Sequence, residues 1–247
     1  MPNCNDWFRK GLDHIWLPYA QMKTLPDPAP IRSTDGSRLL MEDGRTLIDG
    51  VGSWWTSVHG YNHPALLKAA HDQLDAMPHV MLGGLAHEQA YRLAARLAQV
   101  TPGTLSRVFF TESGSVAVEV AMKIAVQYAM NRTGARRTRF VSFKGGYHGD
   151  TFATMSVCDP EEGMHSLFAG VVPEQYVVDL PDSDDRAAAL DRLLAQHDDI
   201  AAVIVEPLIQ GAGGMRMMYS RVTVMMADEV EAAVETADVI VLNWGLH

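Results

Sequence analysis

The sequence predicts an α/β fold built on a parallel sheet, and two observations carry the prediction. From Pro102 onward, short apolar runs of strand length alternate with segments whose apolar residues recur at helical spacing, the pattern of strands joined by crossover helices. Three polar or glycine-rich stretches, "TESGS", "KGGYHGD" and "EPLIQGAGG", each follow a strand-like run. In parallel sheets ligands collect at the carboxyl ends of strands, so these stretches mark one candidate site.

The elements follow in order. Pro18, Pro26, Pro28 and Pro30 break the first 50 residues into loops. "SRLLMEDGRTLIDG" reads as a hairpin, because Asp43-Gly44 between two β-prone runs suits a tight turn. "HPALLKAAHDQLDAM" and "AHEQAYRLAARLAQV" read as helices. After Pro102, strand-like "SRVFF" leads to a helix from about Ser115 to Asn131. "RFVSF" is the next strand, and "KGGYHGD" opens an irregular region. A helix, "DDRAAALDRLLAQH", precedes the apolar strand "IAAVIVEP". The tail holds a helix-like "ADEVEAAVETAD" and a strand-like "DVIVLN" suited to covering the sheet. There is no internal repeat and no low-complexity linker.

Composition narrows the class. With 247 residues, 47% hydrophobic and 20% charged, the chain has enough apolar material for a substantial core. A net charge of −10 without a basic run argues against nucleic acid as a partner. No stretch approaches the roughly 20 apolar residues of a membrane span. The start of the chain lacks a signal peptide's apolar centre, and Cys4 and Cys158 form no disulfide-like pattern, so the expected location is cytoplasmic. No metal-ligand spacing occurs.

The opening of the first long helix, "FTESGSVAVEVAMK", admits two readings. Exposed N–H groups at a helix start, with Ser hydroxyls beside them, suit a phosphate. The same Ser and Thr residues also serve as ordinary caps.

Several segments together carry a family resemblance: "HIWLPYAQM", "DGVGSWWTSVHGYNHP", "HVMLGG", "ESGSVAVEVAMK", "GGYHGDTFATMSVCDP" and "AAVIVEPLIQGAGGMR". In this order they resemble the class III pyridoxal-phosphate aminotransferases, and within them the branch acting on 8-amino-7-oxononanoate in biotin synthesis. The resemblance implies a fold-type I large domain, incomplete, spanning 61–216, and an N-terminal segment, 1–60, belonging to the small domain. It implies pyridoxal 5'-phosphate as cofactor, S-adenosylmethionine as amino donor and a homodimer in the full-length family. Gly114 and Ser115 would donate to the cofactor phosphate, and Tyr147 would lie against its ring and border the substrate. Glu206 would stand nearby as a carboxylate, and Tyr19 and Trp54 would line the substrate pocket. Each also has a plainer role open to it: a core or interface Trp, a Tyr plugging a turn, a Glu ending a strand. Other class III enzymes acting on different ω-amino substrates share part of the pattern.

The resemblance stops abruptly after Met215-Arg216, and the tail, 217–247, carries none, as a shift of reading frame would leave it. The family's Schiff-base lysine and the Asp that protonates the cofactor's ring nitrogen lie beyond that point and have no counterpart here. The chain's lysines are Lys10, Lys23, Lys68, Lys123 and Lys144, and none suits the role. The expectation is a family aminotransferase whose 247 residues are by themselves a non-catalytic fragment.

Overall fold

A computed structural model describes residues 6–101, 105–161, 166–217 and 241–242. They fall into two compact units, one up to His87 and one from Glu88 onward.

The first unit opens with helix α1 (Asp6–Leu12) and holds a three-stranded antiparallel sheet, β1 (Ile31–Asp35), β2 (Arg38–Met41) and β3 (Thr46–Ile48). The hairpin turns at Asp43-Gly44 as expected. Gly44 takes φ +88°, the Asp43 carboxylate accepts the Arg45 N–H, and the Met41 N–H donates to the Arg45 carbonyl. Strand β1 is a further element in the stretch before the hairpin, where the sequence predicts loop. Its prolines end at Pro30, one residue before the strand, and its own sequence, "IRSTD", has a single large apolar residue to announce it. A single turn, α2 (Gly52–Trp55), follows, and then α3 (Pro64–Ala76). Pro64 sits at the start of α3, where its missing N–H costs nothing.

The second unit begins with α4 (Glu88–Val100). "SRVFF" is not a strand: no backbone among the described residues pairs with it, and Phe109 is 71% exposed. Apolar content gave it strand propensity, but a strand exists only through a paired ladder. Helix α5 (Gly114–Thr133) is capped at its start by Ser113, which accepts the Val116 N–H. It ends at Gly134, in the left-handed conformation. Then come β4 (Arg139–Phe143), α6 (Phe152–Val157), a 3₁₀ turn (Ser166–Phe168), β5 (Tyr176–Val178), α7 (Asp184–Gln196) and β6 (Ile200–Val205). Helix α6 and strand β5 occupy the region expected to be irregular; both are too short to show a period in the sequence. Strands β7 (Ile209–Gln210) and β8 (Arg216–Met217) form a small hairpin.

The sheet has the order β5-β4-β6-β9, and every neighbouring pair is parallel. Strand β9 (Val241–Leu242) comes from the tail and pairs with the end of β6, Ile204 opposite Val241 and Val205 opposite Leu242. Val241 and Leu242 of the strand-like "DVIVLN" thus join the sheet; the rest of that run and the helix-like "ADEVEAAVETAD" lie outside the described residues. Alternation along the strands builds a core on each face. One face sets Phe140, Ala202 and Ile204 against Val118, Met122 and Ala125 of α5 and Val157 of α6. The other joins Phe143 and Val205 to Leu180, with Leu190 of α7 packed against them.

This packing fixes where mutation should hurt. Ile204→Ala removes a fully buried side chain between α5 and the sheet and is expected to cost about 2–5 kcal/mol. Phe109→Ala, at an exposed position, is expected to stay within about 0.5 kcal/mol. Urea unfolding of the two variants beside the parent chain measures the contrast.

Candidate active site

At the α5 start the structure settles the cap and leaves its neighbours open to a ligand. Ser113 is the cap, while Gly114 and Ser115 follow it, ahead of the first intrahelical bond from the Ala117 N–H to the Ser113 carbonyl. Gly114 is exposed, and a side chain there would meet nothing within 4 Å. The Ser115 hydroxyl oxygen accepts the Asp150 N–H at 3.1 Å, which leaves its own proton to donate outward. Open N–H groups at the positive end of a 20-residue helix, beside a donating hydroxyl and no bulky side chain, fit a phosphate.

From Ser115 a run of hydrogen bonds crosses the strand ends. The Tyr147 hydroxyl donates to the Asp150 carboxylate at 2.5 Å. The Tyr147 N–H donates to Glu206 Oε2 at 3.1 Å, and the Gly211 N–H donates to Glu206 Oε1 at 3.1 Å. The turn after β4 and the loop after β6 are therefore joined by one carboxylate. Burial pushes the Glu206 carboxyl above its usual range, opposed by the two N–H groups it accepts. Helix α5 grips the same turn one helical turn further on. Glu119 accepts the Thr151 hydroxyl at 2.6 Å and the Ala153 N–H at 3.0 Å. Gly149, at φ +126°, lies against Ser115 so closely that a Cβ there would overlap its side chain. Gly213 likewise abuts the Gly145 carbonyl, where no other residue fits. Gln210, almost fully buried, donates to the Lys144 carbonyl and ties the hairpin to the same turn.

Beneath Tyr147 the turn is closed. His148 is 3% exposed, and burial lowers its pKa to about 4, so it is neutral at pH 7. The backbone N–H of His148 donates to Cys158 Sγ at 3.2 Å, and the thiol in turn faces the carbonyls of Gly149 and Thr154. Burial raises the Cys158 thiol to about 11. Lys144 ends its strand half exposed, its ammonium 3.5 Å from Asp179, and Lys123 is exposed on α5.

In the first unit the structure brings Tyr19 and Trp54 together, ring centroids 5.7 Å apart in an edge-on arrangement. Both are more than half exposed. Trp54 rides on α2, whose residues 52–55 all have positive φ, 59°, 48°, 53° and 64°, a left-handed turn in which three members are not glycine. Each such residue costs about 1–2 kcal/mol. The Asp49 carboxylate collects the N–H groups of Val51, Gly52 and Ser53 at 2.8–3.0 Å and the Tyr61 hydroxyl at 2.5 Å. The Tyr61 hydroxyl, then those backbone donors, hold the Asp49 carboxyl below its usual range.

Similarity to known proteins fits this arrangement. The aminotransferase class-III family model matches residues 19–231, running past Arg216, where the resemblance read from the motifs ends. The chain belongs to the class III aminotransferases. It is 44% identical over 221 residues to the adenosylmethionine-8-amino-7-oxononanoate aminotransferase of Corynebacterium glutamicum, covering 84% of this chain and 50% of that one. To the enzyme of the same name in Mycobacterium leprae it is 44% identical, over 82% of this chain and 49% of the relative. Among solved structures, the adenosylmethionine-8-amino-7-oxononanoate aminotransferase of Methanocaldococcus jannaschii superposes with a TM-score of 0.86 at 30% identity, over 97% of this chain and 54% of that one. An omega transaminase of Pseudomonas jessenii, solved with PMP, gives 0.78 at 26% over 90% of this chain. The fold is that of the fold-type I transaminases, and this class III chain spans about half the length of the relatives it matches.

Of the residues expected from the sequence, Ser115, Tyr147 and Glu206 share one hydrogen-bonded run with Gly114 adjacent, and Tyr19 and Trp54 share a contact within the other unit. Sequence reading missed Asp150, Glu119, Asp49 and Tyr61. Asp49 and Asp150 stand inside quoted motifs, and a carboxylate just before or after a glycine-rich stretch is the signal that flags a loop organiser.

The buried imidazole sets a pH dependence. The unfolded chain binds a proton at His148 near pH 6.5, whereas the folded one does so only near 4. Stability from this group is therefore full above 6.5 and falls by about 3 kcal/mol as pH drops to 4. Glu206 works in the opposite sense, since its folded carboxyl takes up a proton first on acidification. Chemical denaturation from pH 7.5 to 4 is expected to show a shallower acid decline in His148→Gln than in the parent chain.

Proposed function

We propose that this chain supplies the phosphate-binding and substrate-facing half of an aminotransferase that passes an amino group from S-adenosylmethionine to 8-amino-7-oxononanoate, giving 7,8-diaminononanoate. The observation that carries the reading is the hydrogen-bonded run from Ser115 through Asp150 and Tyr147 to Glu206, laid across the strand ends of a class III aminotransferase fold. The relatives' names support the choice of substrates.

Pyridoxal 5'-phosphate, when bound, supplies the aldehyde that takes the amino group and the ring that accepts electrons. The chain's own residues bind and orient. The N–H groups of Gly114 and Ser115, with the Ser115 hydroxyl, would hold the phosphate. The Tyr147 ring, its phenol restrained by Asp150 and its backbone by Glu206, would stack on the cofactor's flat ring. Tyr19 and Trp54 form an apolar wall for the carbon chain of 8-amino-7-oxononanoate. By the family resemblance, the Schiff-base lysine would come from the half of the relatives' length that this chain does not span, and the whole would work as a homodimer. A second reading, another class III enzyme with a different ω-amino substrate, draws support from an omega transaminase at 26% identity and an amine transaminase at 27%.

Two measurements test the proposal. The 247-residue chain is expected to bind pyridoxal phosphate reversibly, with borohydride fixing no cofactor at a single lysine. Ser115→Ala should weaken binding about tenfold, the loss of one hydrogen bond to a charged group. Stoichiometric labelling of one lysine, read by mass spectrometry, contradicts this. Joined after Arg216 to the C-terminal half of the Corynebacterium glutamicum relative, the chain is expected to transaminate 8-amino-7-oxononanoate. Trp54→Ala and Tyr147→Ala should each lower kcat/KM at least about tenfold, a fraction of what losing a buried aromatic costs. Preference for a short ω-amino acid favours the second reading.

A further inference from the structure

Three consecutive non-glycine residues in the left-handed region, Ser53, Trp54 and Trp55, do not hold that conformation unaided. The surrounding hydrogen bonds show what holds them. Asp49 Oδ1 accepts from Val51 and Gly52, and Oδ2 accepts from the Ser53 N–H and from the Tyr61 hydroxyl. The Tyr61 hydroxyl also contacts the Ser53 hydroxyl. Both anchors are themselves tied to the turn between β1 and β2. The Asp49 N–H donates to the Ser37 carbonyl at 2.8 Å, and Tyr61 exchanges two backbone bonds with Gly36, at 2.7 and 3.1 Å. A continuous path thus leads from the antiparallel sheet through Asp49 and Tyr61 into the turn that displays Trp54. Trp54 itself is 59% exposed, so burial does not fix its orientation.

We propose that Asp49 and Tyr61 are positioning residues that hold the left-handed turn Gly52–Trp55 and so set the orientation of Trp54 toward substrate. The orientation stands on the geometry above; its use toward substrate rests on the reading of Trp54 as a pocket wall under Proposed function. Neither residue touches substrate; each acts through the backbone that carries Trp54. Asp49 supplies what a left-handed turn of L-residues lacks, a fixed acceptor for its first N–H groups. Tyr61 holds that acceptor in place.

The test uses the 247-residue chain and needs no substrate, so its outcome is independent of the pocket reading, which the Trp54→Ala chimera decides. The near-ultraviolet circular dichroism of the parent minus that of Trp54→Phe isolates the signal of Trp54 packed on Tyr19. Asp49→Ala is expected to abolish most of that signal and Tyr61→Phe to reduce it, with the far-ultraviolet spectrum unchanged. Adding Ser53→Gly to Asp49→Ala should restore part of it, because glycine adopts positive φ without steric cost. A full Trp54 signal in both single variants overturns the proposal, as does a signal lost in Asp49→Ala that Ser53→Gly leaves lost. Should Asp49→Ala fail to fold, Tyr61→Phe and Asp49→Asn decide alone: a reduced signal supports the proposal, and an unchanged one overturns it.

Discussion

The carboxylate of Glu206, just after β6, accepts one backbone N–H from the turn after β4 and another from the turn after β7, in a position 4% exposed. An unpaired N–H at such depth costs roughly 1–3 kcal/mol, so the two loops are held together by more than packing. Remove that bridge and Tyr147 loses its backbone restraint. The geometry upstream then loosens as well, because the Tyr147 phenol meets Asp150 and the Asp150 N–H meets Ser115. The location of the carboxylate follows from the sheet. Strands β4 and β6 are paired neighbours, so whatever follows each of them emerges side by side.

The N-terminal unit solves a different problem with the same chemistry. Its carboxylate, Asp49, also gathers backbone N–H groups, but around a turn whose handedness L-residues resist. In both units a carboxylate is stationed where the backbone presents several donors at once, and it organises a loop that carries an aromatic ring, half-buried Tyr147 in one and exposed Trp54 in the other. Burial distinguishes them: it raises the Glu206 carboxyl, while the donors around half-exposed Asp49 lower its own.

How much of this was readable from the sequence depends on the range of the interaction involved. Helices α3, α4, α5 and α7 were legible because apolar spacing and Ser or Pro starts are local signals. The Asp43-Gly44 hairpin was legible for the same reason. "SRVFF" misled because strand propensity is local but pairing is not, and β1 was hidden because its pairing with β2 compensates for a sequence that says little. At the candidate site, Ser115 and Tyr147 stood out as residue types in motifs. Their link through Asp150 depends on a contact 35 residues apart in the chain, and the Tyr147–Glu206 bond spans 59. No periodicity encodes such distances.

Beneath Tyr147 the turn after β4 encloses a thiol. Cys158 is 1% exposed, and its thiol, raised to about 11, is overwhelmingly protonated at neutral pH. A protonated, enclosed sulfur does not react with alkylating reagents; reaction waits for an opening that frees it from the His148 N–H and the carbonyls of Gly149 and Thr154. Its modification rate therefore counts openings of the turn that carries Tyr147. The chain holds a native clock for how often its candidate site comes apart, set by the same His148 N–H that donates to the sulfur.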